Sequence, residues 1–139
     1  MIPSEPFAPK LDEALLRDLS NLALAHMGDA VYEVLVRTWL CTHGHMTSRD
    51  LHRETVGYVS APAQAHAAEK LLPLLTEEEL QIYKRGRNAK VNSVPHHADA
   101  SQYHAATGLE SLFGWLYLKG EQTRIGELFD HIMEEENAS

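Results

Sequence analysis

The sequence predicts an all-α fold of about six helices, on three observations. No proline falls between Lys10 and Ala61, which leaves room for long helices. Apolar residues recur at helical spacing, most plainly at Ile125, Leu128, Phe129, Ile132 and Met133, the i, i+3, i+4, i+7, i+8 pattern of one buried face. Strand-like alternation, internal repeats and low-complexity tracts are missing from the sequence.

Residues 1–10, with Pro3, Pro6 and Pro9, read as an extended arm, and residues 11–139 as one domain. Residues 11–19 form a short amphipathic stretch that joins or precedes the next helix. Ser20 caps a helix through Leu22, Met27, Val31, Val34, Leu35 and Leu40, with Gly44 just past its end. Thr47 and Asp50 start a helix over 51–59. Ser60, with Pro62 in the first turn, starts another that Pro73 stops near Leu72. Thr76 and Glu79 have capping-box spacing and open a helix through Leu80, Ile82 and Tyr83. Residues 86–98 read as a loop, with Asn88, Asn92, Ser93 and Pro95. Asp99 or Ser101 opens a helix through Leu109, Leu112, Phe113, Leu116 and Tyr117, ended by Gly120, and the 125–133 helix follows.

Composition narrows the function classes. At 139 residues, with 44% hydrophobic and 23% charged, the chain fits one globular domain with a core of its own. Twenty acids against twelve bases give a net charge of -8, which argues against a generally basic coat for nucleic acid. A single cysteine, Cys41, excludes an internal disulfide and any CxxC motif. No apolar run is long enough to span a membrane, and Glu5 interrupts any leader pattern, so a cytoplasmic protein is expected.

Two carboxylates stand in apolar surroundings. Residues 20–40 are apolar on nearly every side and are expected at the centre of the fold, yet Asp29 lies among them after Gly28. Glu110 is the only charged residue of the 105–118 stretch. A buried carboxylate needs a partner or a purpose. Gly28 and Ala30 flank one acid, and Ala105, Ala106 and Gly108 precede the other; small side chains let helices approach closely. Two converging carboxylates suit Mg²⁺ or Mn²⁺, which activates water and stabilises phosphodiester charge. The competing reading pairs each acid with an arginine or places it at a wet edge. Arg37 is too far along the helix to pair with Asp29 directly. Glu33, one turn from Asp29, is either a third acid of the site or a solvated, arginine-paired one.

The residues from Leu24 to Val31, Leu-Ala-His-Met-Gly-Asp-Ala-Val, resemble the signature helix of the ribonuclease III catalytic domain. Those from Glu110 to Tyr117, Glu-Ser-Leu-Phe-Gly-Trp-Leu-Tyr, resemble its second signature, in the expected order. Arg85-Gly86-Arg87-Asn88-Ala89-Lys90 is similar to the Mini-ribonuclease III branch, which lacks an appended double-stranded RNA-binding domain. The resemblance covers residues 19–133. It implies an all-helical homodimer that cleaves double-stranded RNA with Mg²⁺, or Mn²⁺ in its place, leaving 5′-phosphate and 3′-hydroxyl ends. It places Asp29 and Glu110 as catalytic metal ligands. The acids that the family carries one turn before each are Ala25 and Thr107 here, so four acids become two; Glu33 and Thr107 are candidate accessory positions.

Lys84, Arg85, Arg87 and Lys90 put four bases within seven residues, and no acid occurs over 81–98. With Asn88 this segment is a candidate RNA contact, since duplex RNA is met mainly through phosphates and 2′-hydroxyls. The alternative is a helix C-terminus favoured by its own dipole. Arg49 and Arg53 are candidates for a second contact. The nine histidines, His26, His43, His45, His96, His97 and His104 among them, form no zinc motif. Tyr32, Trp39, Trp115 and Tyr117 fall among aliphatics and read as core or dimer contacts.

The expected function is a metal-dependent endoribonuclease for double-stranded RNA, with each subunit of a homodimer supplying one Asp29–Glu110 site. The resemblance implies a precursor of large-subunit ribosomal RNA as substrate, with a ribosomal protein on it as a candidate partner. Ala25 and Thr107 favour the alternative, an inactive ribonuclease III fold that only binds RNA or ribosomes. A helical partner-binding domain with no RNA role is the third reading.

Overall fold

The structure, a computed structural model, describes residues 5–44, 47–89 and 99–137, the side chains of 135–137 excepted. It contains seven α-helices and no strand among the described residues. They are α1 (Glu13–Asp18), α2 (Asn21–Thr42), α3 (Ser48–Val59), α4 (Ala61–Leu71), α5 (Glu77–Asn88), α6 (Ala100–Lys119) and α7 (Gln122–Asn137), with a 3₁₀ turn at Leu72–Leu74.

Side-chain caps set the starts. Ser20 accepts from the Ala23 amide at 3.0 Å, Thr47 from Asp50 at 3.1 Å and Ser60 from Ala63 at 3.4 Å. Thr76 and Glu79 complete a reciprocal capping box. Of the two candidates for the start of α6 the structure selects Asp99, which accepts from the Ser101 and Gln102 amides. Gly120, at φ 89°, ends that helix in the left-handed region where a side chain would be strained. Residues 11–19 give a helix of their own, α1, because Leu19 turns extended before Ser20 caps α2.

The core is built around α6, on which α2, α4 and α5 pack most extensively. From Ala106 to Leu116 the axle helix is buried except at Glu110. Tyr32 stands edge-on to Phe113 and Phe129, with ring centroids 5.3 and 5.8 Å away. Each wholly buried Leu or Phe of this cluster contributes about 1.5–3 kcal/mol. Arg124 reaches from α7 to Glu79, with both carboxylate contacts at 2.8 Å, and donates to the Leu74 carbonyl at 2.9 Å. Burial alone pushes the Glu79 carboxyl up, but hydrogen bonds from Arg124 and Thr76 prevail and hold it below its ordinary value. This acid is spent on joining α5 to α7.

Two helix pairs approach to backbone contact, each at a glycine pair. A Cβ on Gly28 would overlap the Glu110 carbonyl, and one on Gly114 would overlap the Leu24 carbonyl, so α2 and α6 cross at Gly28 and Gly114. A Cβ on Gly86 would overlap Ser111, and one on Gly108 would lie 2.8 Å from Tyr83, so α5 lies against α6 there. Of the small residues singled out in the sequence, Gly28 makes the close crossing. Gly108 serves α5 instead, Ala30 is exposed, and the partner Gly114 is the glycine of the second signature, not one of the small residues noted beside the acids.

Three expectations are corrected. Residues 86–88 are the last turn of α5 rather than loop, since Gly86 is there for the approach to Ser111 and not to turn the chain. The expected loop's residues 90–98 lie outside the described residues. The second correction concerns α2, which is not enclosed on all sides. Leu22, Met27 and Val34 are 41%, 36% and 53% exposed, forming an apolar stripe opposite the buried Leu24, Gly28, Tyr32 and Val36. Third, Asp29 lies on the exposed side of the helix, so the burial argument does not hold for it.

Ahead of α1 the described chain turns at residues 5–8, where the Ala8 amide donates to the Glu5 carbonyl. Tyr117 Oη donates to the Pro6 carbonyl at 2.8 Å and the Leu11 amide to the Leu118 carbonyl at 2.8 Å. These bonds tie the segment to the end of α6.

Candidate active site

The glycine crossing determines where the acids meet. Because Gly28 rests on the backbone of Glu110, Asp29, next along α2, is brought beside the Glu110 side chain, and the two carboxyl groups share a hydrogen bond. Glu110 is half-buried and Asp29 exposed, so the pair sits at the rim of the α2–α6 contact and is open to water on one side.

Burial, the adjacent charge of Asp29 and the bond to Asp29 together push the Glu110 carboxyl up to about 8, against a hydrogen bond from Gln64 that lowers it. Among the described residues no arginine or lysine acts on Glu110. Two acids thus lie side by side, an arrangement whose repulsion a divalent ion would relieve. Carboxylate oxygens with water access are the donors that Mg²⁺ and Mn²⁺ prefer. The residues fit such an ion. Among the described residues no third histidine, cysteine or acid joins the pair.

A pH dependence follows. Glu110 titrates near its ordinary 4.5 when unfolded and at about 8 in the metal-free fold, so the folded state holds the extra proton between those values. That stability is present at low pH and lost as pH rises through about 8. With chelator present, calorimetry from about pH 5 to about pH 9 should show the unfolding midpoint falling. The variant E110Q should lose most of this slope.

The accessory candidates turn elsewhere. Glu33 accepts from Arg37 at 3.4 Å, the arginine-paired alternative read from sequence. Thr107 is buried and its Oγ1 donates to the Tyr103 carbonyl at 3.0 Å. Ala25, also buried, fills the α2 position one turn before Asp29.

Lys84, Arg85 and Asn88 are exposed, and Arg87 is half-buried with its guanidinium 5.8 Å from the Tyr83 ring and its Nε donating to Asn88 Oδ1 at 3.3 Å. The contact of Gly86 with Ser111 places this basic turn against α6 at the level of Glu110. Ser111 Oγ in turn donates to the Asn21 carbonyl at 3.1 Å, which brings the start of α2 to the same point. Lys90 lies outside the described residues, as do His45, His96 and His97. Arg53 is paired with Asp50 at 2.7 Å, while Arg49 is exposed. Tyr32 and Trp115 are buried; Trp39 stacks on His43 and Tyr117 is spent on Pro6. Sequence reading passed over Gln64, a buried amide on α4 that bonds Glu110; an isolated glutamine between alanines carries no signal of its own.

Comparison with known proteins gives the class first. Residues 22–121 match the family model described as "Ribonuclease III domain", a span that holds both acids and the basic turn. Similar proteins include the Mini-ribonuclease 3 of Symbiobacterium thermophilum, 46% identical over 79% of this chain and 85% of that protein. That of Brevibacillus brevis is 47% identical over 84% and 89%. A crystal structure of a Fusobacterium nucleatum protein superimposes with a TM-score of 0.78 at 30% identity, covering 87% of this chain and 97% of that one. The chain belongs to the Mini-ribonuclease 3 branch of the ribonuclease III family, and is a double-strand-specific endoribonuclease. No helix is long and apolar enough to cross a membrane among the described residues.

Proposed function

We propose that Asp29 and Glu110 are the catalytic metal ligands of this endoribonuclease, that the ion is Mg²⁺ with Mn²⁺ able to replace it, and that the substrate is a precursor of large-subunit ribosomal RNA. The observation that carries the reading is the meeting of two carboxyl groups with no basic side chain among the described residues acting on Glu110. When bound, a divalent ion supplies charge stabilisation at the phosphodiester and a water acidic enough to attack near neutral pH. Asp29 presents its carboxylate at the exposed edge of α2, toward an arriving backbone. Glu110, set one layer deeper, gives up its proton as it becomes a ligand, so metal affinity rises with pH up to about 8. Ala25 and Thr107 offer no further carboxylate, so Asp29 and Glu110 would hold the ion with water supplying the remaining ligands. Attack in line with the departing 3′ oxygen leaves 5′-phosphate and 3′-hydroxyl ends.

The ribosomal substrate, and a ribosomal protein bound to it as partner, rest on the family resemblance. Lys84, Arg85, Arg87, Asn88 and Lys90 serve as phosphate and sugar contacts. The exposed stripe of α2 borders an apolar groove that also holds Phe7, Val31, Tyr117 and Ile125. Such a face supports a homodimer, each subunit bringing one acid pair to one strand. A cytoplasmic location suits this work. The buried Ala25 and the committed Thr107 hydroxyl favour a second reading, a fold that binds RNA without cutting it.

A short RNA duplex incubated with the protein separates the two. Cleavage that stops in EDTA and returns with Mg²⁺ or Mn²⁺, with single-stranded RNA left intact, is the expected result; binding without cleavage establishes the second reading. Changing Lys84, Arg85 and Arg87 together to glutamine should weaken duplex binding and flatten its salt dependence by roughly one unit of slope for each phosphate no longer neutralised, measured by anisotropy across a salt series.

A further inference from the structure

Gln64 lies near the start of α4 with only 1% of its surface exposed. Its Nε2 donates to the Val59 carbonyl at 3.1 Å, and the amide lies near enough to the Glu110 carboxyl to favour its charged form. Its Oε1 is buried and accepts a hydrogen bond from no group among the described residues. The amide is oriented by its neighbours: both are oxygens, and only the NH₂ end can donate to them. The carbonyl end is therefore fixed as well. A buried amide oxygen without a donor is unfavourable, and methionine would fill much the same volume without that cost. The side chain is thus placed for something other than packing.

Building on the metal reading above, we propose that Gln64 is a positioning residue for Glu110. Its anchored NH₂ group fixes the orientation of the carboxylate that would hold an ion. The bond to Val59, at the end of α3, ties the orientation of Glu110 to the corner between α3 and α4. Supporting partners of this kind typically change metal affinity or turnover by about 10- to 100-fold when removed.

Two measurements test it. In ¹⁵N-labelled protein titrated with Mg²⁺, the side-chain amide of Gln64 should shift along the same binding curve as the backbone amides of Asp29 and Glu110. The variant Gln64→Met should bind Mn²⁺ at least about tenfold more weakly and lower kcat by about 10- to 100-fold, with KM for a duplex little changed. Unchanged Mn²⁺ affinity in a folded Gln64→Met variant, even with a lowered unfolding midpoint, would mean a purely structural role and overturn the proposal. Should that variant not fold, the titration decides alone. Shifts at Asp29 and Glu110 with Gln64 unmoved defeat the positioning role only. No shift at any of the three defeats the metal reading and the role of Gln64 with it.

Discussion

Asp29→Asn is expected to lower duplex cleavage by at least about a thousandfold while leaving duplex affinity within a few-fold. Losing the ion's charge stabilisation removes several kcal/mol from the transition state, and about 4 kcal/mol is a factor of a thousand. Binding should persist because the proposed phosphate contacts lie on the basic turn of α5 and not on the acids. Glu110→Gln should behave alike. The substitution has a second consequence that a merely misfolded variant would not reproduce. Removing the charge of Asp29 takes away one of the causes that raise Glu110, so its carboxyl should titrate below about 8 in Asp29→Asn, read by carbon NMR. Loss of activity with that downward shift identifies a coupled pair; loss of activity with Glu110 unmoved argues against one.

The largest effect on stability is expected at the helix crossing. Gly28→Ala puts a methyl group into the Glu110 carbonyl, and Gly114→Ala puts one into the Leu24 carbonyl. Neither neighbour is the free end of a side chain, so the helices must move apart or the chain must unfold. Overpacking of this kind costs about 3 kcal/mol or more, which lowers the unfolding midpoint of a domain this size by roughly 10 °C. Gly57→Ala is the control. Nothing lies within 4 Å of its Cβ position in α3, so it should raise stability by about 0.5–1 kcal/mol. Thermal scans of the three variants check both signs. Because the crossing also brings the acids together, any Gly28→Ala protein that folds should bind Mn²⁺ weakly.

Local chemistry made much of this fold legible. Ser20, Thr47, Ser60 and the Thr76–Glu79 box announce helix starts through hydrogen bonds that span three residues, and short-range bonds are what sequence encodes most directly. The acids stand out in the sequence because a charge is conspicuous in an apolar helix, though for Asp29 the premise of burial does not hold. The residue is exposed, and the apolar surroundings belong to a surface stripe of α2 that the isolated fold leaves uncovered. Gly86 was misread for a related reason. A glycine near asparagines reads as a turn, whereas here its missing side chain admits another helix. The parts played by Gly114 and Gln64 are not legible in the sequence. Their parts in the site depend on contacts with residues 86 and 46 positions away in sequence, at Gly28 and Glu110, and no local pattern records those distances.

The most direct test of the metal pair is diffraction from crystals soaked in Mn²⁺, with data collected for its anomalous signal. An anomalous peak at bonding distance from one carboxylate oxygen of Asp29 and one of Glu110 is the predicted result, with further density from water on the exposed side. An ordered crystal that cleaves duplex RNA in solution yet shows no peak between these groups, or shows the ion bound at other residues, would contradict it.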